Sequence, residues 1–211
     1  MIAQTTAPLR GARDKEQRRL ALIEAANAVF AEHGFDCATT RAIAERAGCA
    51  EGLIHRYFNG KRGLLLAILE SKAANVVEDF QAALPDCDTL EDEIERLYLW
   101  HLDLMWERRD FLRVAVSQAT IDPEIGRAIG VGINRRRVDL ILEKLRRHQQ
   151  AGRVRPNADL EASAHAIAGL GFAIGFVFQA CFGEDRALAR RIVLDAGRNL
   201  CRAIAQNATP S

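Results

Sequence analysis

Thr39 to Lys61 reads TTRAIAERAGCAEGLIHRYFNGK, and the spacing inside this stretch decides the fold. Ala44, Gly48 and Ile54 stand where two steeply crossing helices need, in turn, a side chain small enough for close approach, a turn at positive φ and an apolar anchor. Ile43, Ala47, Leu53 and Ile54 can then pack inward. Thr39, Thr40 and Arg41 are left at the start of the first helix, and Glu51, Gly52, His55 and Arg56 on the outer face of the second. Such a helix suits a major groove, where arginine reads guanine edges and hydroxyls or helix N-termini take phosphates. An ordinary helical hairpin with Gly in its turn would satisfy the same small-Gly-apolar spacing.

The longer pattern separates the two readings. Gly48 to Lys61, GCAEGLIHRYFNGK, resembles the TetR family of bacterial repressors, whose members run roughly G-V-S-x-G-x-[LI]-Y-x-[YH]-F-x-[SN]-K. The register continues upstream through Ala28-Val29-Phe30, Gly34-Phe35, Thr39-Thr40 and Ile43-Ala44. This resemblance implies that Thr40 and Arg41 touch DNA from the first helix and Glu51, Gly52, His55 and Arg56 from the recognition helix, while Tyr57 and Lys61 hold phosphates. Four departures matter. Ala50 replaces the usual Ser or Thr N-cap, a loss of about 1 kcal/mol. Cys49 replaces Val as another small apolar residue. Glu51 sets a negative charge among phosphates, or accepts from a cytosine amine. His55 replaces Tyr, which weakens a phosphate contact or makes it depend on pH.

Length and composition allow this architecture. A chain of 211 residues with 49% hydrophobic residues has ample core for one or two domains. The net charge of +1 excludes a histone-like polycation, so nucleic-acid binding must come from local charge. Met1 to Leu64 holds 10 Lys or Arg against 7 Asp or Glu, +3, which leaves −2 for the rest; the bias falls toward the helix-turn-helix. The five cysteines have no CxxC spacing, so no zinc or thioredoxin-like motif is expected, and a reducing cytoplasm fits best. No nucleophile elbow, metal spacing or phosphate loop supports an enzyme, and no cofactor is expected. Residues 1–13 lack the apolar run of a signal peptide and read as a disordered arm, whose Arg10 and Arg13 would be solvated.

The remaining patterns predict an all-α chain of about nine helices, with a helix-turn-helix DNA-binding domain over 14–60 and an effector-binding and dimerisation domain over 61–211. Asp14 and Gln17 form a capping box for a first helix that stops at His33-Gly34. One long helix is expected from Lys61 to about Ala83. Others start at Thr89, at Asp110 and at Asp122-Pro123, the last running to Gln150. Arg135-Arg136-Arg137 and Arg146-Arg147 read as solvated faces, because consecutive helical residues point in different directions. Leu160 to Phe182 is long and apolar enough to span a bilayer. His165 and Gln179 inside it, acidic residues near both ends and the lack of a positive flank favour a buried helix instead.

In that stretch Ala164, Ala168, Gly171 and Gly175 align small residues for close helix approach. With Ile192 and Leu200 of the last helix they are the expected dimer interface, since the resemblance gives the last two helices that role. A homodimer would place two recognition helices on a pseudo-palindromic operator. The resemblance also implies a chamber in the middle helices for a small, moderately lipophilic effector. Trp100, His101, Leu104, Met105, Gln118, Phe172, Phe176 and Gln179 are the candidate lining. A helix-turn-helix dimer without a small-molecule effector is the alternative.

Overall fold

The computed structural model describes residues 10–206, with side chains from residue 13 onward. Helix α1 (Arg10–Cys37) buries Leu22, Ala26, Val29 and Phe30, and its regular turns end where Gly34 takes φ 74°. It begins upstream of the Asp14 capping box, because only Gly11 weakens the helix between Arg10 and Asp14. Of the arm expected over 1–13, residues 1–9 and the side chain of Arg10 lie outside the described residues. Arg13 is exposed on the first turns.

Helices α2 (Thr40–Ala47) and α3 (Gly52–Phe58) form the expected pair. Thr39 caps α2 by accepting from the Ala42 amide at 3.1 Å. Gly48 closes it at φ 60°, a left-handed turn that a Cβ would strain. The Cys49 amide returns to the Ala44 carbonyl at 3.0 Å. α3 has no side-chain cap, as the Ala50 substitution implies. Ile43, Ala44, Ile54 and Phe58 share one core with Leu64, Leu65 and Ile68 of α4 (Lys61–Ala74) and with Phe111, Val114 and Ala115 of α7 (Arg109–Ala119). The core therefore continues across residue 60: the reading head packs on α1 and α4, and α7 packs on α1.

The expected 61–83 helix is divided at Asn75 (φ −89°, ψ −4°), which stands between α4 and α5 (Val76–Ala83). α6 (Leu90–Glu107) is capped by Thr89. α8 (Pro123–Arg127) is capped by Asp122, which accepts from the Glu124 and Ile125 amides. It runs through a π-helical segment, Ala128–Arg135, into α9 (Arg136–Gln150). α10 (Leu160–Phe172) continues through a second π segment, Ala173–Cys181, and α11 (Arg186–Ile204) closes the body. Among the described residues the only β pairing is a single bridge between Val154 and Ala205.

Leu97, Tyr98, Val138, Ile141, Leu145, Ile167 and Val193 form the second core, between α6, α9, α10 and α11. The long apolar helix is thus a core helix on one face. It also corrects the expected role of the small-residue stripe. A Cβ on Gly171 would lie 2.7 Å from His101 Cβ, and one on Gly175 would lie 2.8 Å from Met105 Cβ. Ala164 and Ala168 are buried with them. All four are buried within their own chain, and at Gly171 and Gly175 the missing side chain lets the helix approach α6. Ile192 and Leu200 are half-buried, Leu200 against the second core.

Candidate nucleic-acid interface and effector chamber

The outer surface of the α2–α3 pair presents Arg41, Glu51, Gly52, His55 and Arg56, all exposed, with Thr40 and Tyr57 half-buried beside them. The Thr40 hydroxyl donates to Glu51 Oε1 at 2.5 Å, which ties the start of α2 to the start of α3 and fixes where the Glu51 charge sits. Arg41 Nε rests on Glu45 Oε1 at 2.8 Å. This exposed i,i+4 pair holds weakly, so the guanidinium can exchange it for a base edge or phosphate. Arg46 is spoken for by Glu32 across to α1, at 2.5 Å. Lys15 lies over the Tyr57 ring at 5.8 Å and Arg19 over the Phe58 ring at 5.5 Å, two cations at the flank of α3 that no local sequence pattern marks.

Lys61, expected at a phosphate, is engaged within its own chain. Its ammonium donates to the Phe35 and Asp36 carbonyls at 2.8 and 3.2 Å and sits 4.9 Å from the Phe35 ring. It therefore satisfies carbonyls at the end of α1, where a cation also complements the helix dipole. The next residue, Arg62, reaches out of the head: Nε donates to Asp122 Oδ2 at 2.6 Å and Nη2 to Glu124 Oε2 at 2.6 Å. The Arg62 guanidinium, helped by the Glu124 and Ile125 amides, holds the Asp122 carboxyl down to about 2. This links the first turn of α4 to the cap of α8.

Behind that link lies a cavity of about 440 Å³. α4 gives it Leu69 and Lys72, α6 gives Met105, and α7 gives Phe111, Leu112 and Ala115. The first π segment contributes Ile129, Gly130, Ile133 and Asn134, α9 contributes Arg137, and α10 contributes His165, Ala168 and Phe172. The lining is mostly apolar, with three cations from Lys72, Arg108 and Arg137. Lys72 stacks over the Phe111 ring at 4.5 Å, and Arg108 donates to Asp79 at 2.8 Å.

Of the expected chamber residues, Met105 and Phe172 line this cavity and the other six lie elsewhere. Trp100 packs edge-on against Phe80 at 5.3 Å. His101 is fully buried beneath Gly171, and burial pushes its pKa down to about 3. Its Nδ1 lies 3.3 Å from the Leu97 carbonyl. Leu104 and Phe176 are packed into a small cluster with Met105 and Ala180. Gln179 is buried and donates to the Gly175 carbonyl one turn back. Gln118 sits at the end of α7, where its backbone carbonyl accepts from Ile121 and Asp122. Apolar spacing identified the inward faces of α6 and α10, but the open volume lies toward α4 and α7, over the edge of those faces. Conversely, Arg137, expected on a solvated face, is 8% exposed in the cavity wall.

A reading head of two helices crossed over a left-handed glycine, braced by α1 and α4 on an all-helical body, defines a helix-turn-helix DNA-binding protein. Residues 22–68 match the sequence profile of the bacterial regulatory proteins of the tetR family. The HTH-type transcriptional repressor AcnR of Corynebacterium diphtheriae is 30% identical over 149 residues, 68% of this chain and 72% of that protein. The chain belongs to the TetR family, whose members are DNA-binding transcriptional regulators and not enzymes. The fold agrees over nearly the whole length. A TetR-family regulator from Mesorhizobium loti superposes with a TM-score of 0.77 at 20% identity, over 94% of this chain and 100% of that one. FadR of Bacillus subtilis, solved in complex with stearoyl-CoA, gives 0.66 at 16% identity, over 90% and 100%.

Proposed function

We propose that this regulator is a repressor that binds a pseudo-palindromic operator as a homodimer in the cytoplasm and is released when a small, moderately lipophilic molecule fills the chamber. The observation that carries the reading is a shared wall. α4 supplies Leu69 and Lys72 to the cavity and is separated from the recognition helix α3 only by Asn59 and Gly60. A ligand that changes where α4 lies therefore changes where α3 points. The Arg62 contacts to Asp122 and Glu124 give the head a second hold on the chamber's far side. Only differential affinity for the two states does this work: moving a population from 1:99 to 99:1 takes about 5.5 kcal/mol.

A dimer is supported by an apolar face of α10 and of the π segment after it that the described residues cover only in part. Ala162, Ala166 and Ala173 are exposed and Leu170 and Val177 half-buried, at helical spacing and without a charge among them. Ile192 and Leu200 are the members of the expected interface set that reach the surface beside it. The relationship to a repressor in C. diphtheriae supports the negative sign of regulation.

The test is selection of bound fragments from a random DNA library, then anisotropy titration of the winner at two salt concentrations. A pseudo-palindromic motif with steep salt dependence is expected. On that operator Arg41→Ala or Arg56→Ala should each weaken binding by about 1–3 kcal/mol and relax base preference. No enriched sequence, or unchanged affinity in both variants, refutes the assignment.

A further inference from the structure

We propose that the chamber's ligand is an amphipathic carboxylate whose anionic head is bound by Arg137 and whose apolar body of about ten carbons lies against Phe111, Ile133 and Phe172. This names the effector class and rests on the effector-chamber reading above.

The first observation is a buried charge without an answer. Arg137 is 8% exposed, its Nε is buried without a hydrogen-bond partner, and no carboxylate among the described residues lies within ion-pair distance. The Trp100 ring lies 5.9 Å from its guanidinium carbon. A buried charge left unpaired is among the most costly features a fold can carry. Burial and the nearby Arg108 push its pKa down to about 10, which still leaves it cationic at neutral pH. A guanidinium retained under those conditions is matched by an anion that arrives from outside, and its fork suits a carboxylate.

The second observation concerns the rest of the wall. Among the described residues no Asp or Glu lines the cavity, whereas Lys72 and Arg108 do. Asp79 answers Arg108 from outside the lining. Lys72 has no carboxylate partner within ion-pair distance among the described residues; its ammonium rests on the Phe111 ring. Two of the three cations are thus uncompensated, which selects against cationic ligands and in favour of anions. Away from these groups the walls are aliphatic and aromatic. At about 30 Å³ per atom-sized unit in a liquid, a volume of about 440 Å³ holds about fifteen non-hydrogen atoms, enough for a carboxylate on a ten-carbon chain.

The experiment compares decanoate, 1-decanol and decyltrimethylammonium on the full-length protein by calorimetry, each below its aggregation concentration. Decanoate should bind at least tenfold more tightly than decanol, and the cation should not bind. Arg137→Met keeps an apolar stem of similar length, so decanol should bind as before while the decanoate-to-decanol ratio falls toward one. Lys72→Met should lower the ratio less. Equal affinity for the acid and the alcohol, tighter binding of the cation, a ratio unmoved in Arg137→Met, or no binding of any of the three overturns the assignment. Operator anisotropy on the same samples separates the two levels: ligand-free protein that still binds its operator leaves the regulator reading standing when the ligand class fails, and loss of operator recognition sinks the regulator reading itself.

Discussion

Replacing Glu93 with Gln asks whether the body of this regulator is held by a buried charge network. Glu93 is fully buried on α6. Its Oε2 accepts from the Cys87 amide at 3.1 Å and from Arg147 at 2.7 Å, with His148 Nε2 at 3.3 Å, while Lys144 Nζ lies 3.0 Å from Oε1. Arg153 Nε donates to His148 Nδ1 at 2.9 Å. That nitrogen must then be the acceptor, so the proton of the neutral ring sits on Nε2 and points at Glu93. Burial alone would raise the Glu93 carboxyl; the Cys87 amide, Lys144 and Arg147 outweigh it and hold it below its ordinary value. Gln is nearly isosteric and keeps one acceptor, but it leaves the 8% exposed Lys144 side chain with only Asp86. Removing one member of a buried ion pair costs about 3–5 kcal/mol. The half-exposed Arg147 and the surviving Asp86 contact set the expectation near the low end, about 3 kcal/mol, or roughly 6–12 °C in Tm for a chain of this size. The control is Asp86→Asn, which touches the same Lys144 from a 62% exposed side chain and should change stability by less than about 1 kcal/mol. Urea titrations followed by far-UV circular dichroism at one fixed protein concentration supply both numbers. The pH dependence carries a sign. A carboxyl held below its ordinary 4.5 contributes stability above that value and loses it as pH falls toward the folded-state pKa. The gap between parent and Glu93→Gln should therefore narrow on acidification. A Glu93→Gln loss below about 1 kcal/mol, or an equal loss from Asp86→Asn, refutes the reasoning.

Gly171→Ala places a Cβ 2.7 Å from His101 Cβ; overpacking of about 1–3 kcal/mol less about 1 kcal/mol of gained helix propensity leaves a net loss of up to about 2 kcal/mol. Thermal melting should report it with the oligomeric state unchanged, and altered assembly with unchanged stability would put the stripe at a subunit interface. Lys61→Met should lower the melting temperature, because the Phe35 and Asp36 carbonyls lose their donor, while the salt dependence of operator binding stays as it was; a shallower salt slope would restore Lys61 as a phosphate contact. In Arg62→Ala the Asp122 carboxyl should rise from about 2 toward its ordinary 3.8, as read by carbon-detected NMR titration, and an unmoved value would discount the link between α4 and α8.

The reading head was legible because its determinants are local. Thr39 as cap, Gly48 as left-handed turn, and Ile43, Ala44 and Ile54 as the packed seam lie within one short stretch, where spacing converts directly into geometry. The helical body was legible for the same reason, down to the Thr89 and Asp122 caps. The break at Asn75 was not, since neither Pro nor Gly marks it. Nor were the π segments over Ala128–Arg135 and Ala173–Cys181, whose wider turns shift which residues face a neighbour without changing the apolar pattern. The small residues over Ala164–Gly175 mark close helix approach in the sequence, and in the structure Gly171 and Gly175 meet α6 of the same chain. A stripe of small residues records that something comes near and carries no label for what does.

The same asymmetry explains the chamber. Helical residues advance by about 100° each, so the run Arg135-Arg136-Arg137 has to send its charges in three directions. Arg135 pairs with Asp139 and Glu161 on the surface, and Arg136 donates to the Ala73 carbonyl at the end of α4. Arg137 is carried inward between Trp100 and the cavity. As sequence the three are one basic patch; as structure they are a surface pair, a helix cap and a buried cation. The distinction depends on contacts with α4, α6 and α10, dozens of residues away, and no local pattern encodes it. Aromatic and aliphatic residues line a lipophilic pocket and fill a dry core alike, so sequence does not separate Leu104, Phe176 and Trp100, which pack in or against the core, from the cavity wall. What sets the cavity apart from the core is cationic charge without a carboxylate among the described residues, on Arg137 and Lys72, and it becomes visible only when the contacts of each neighbouring cation are laid out.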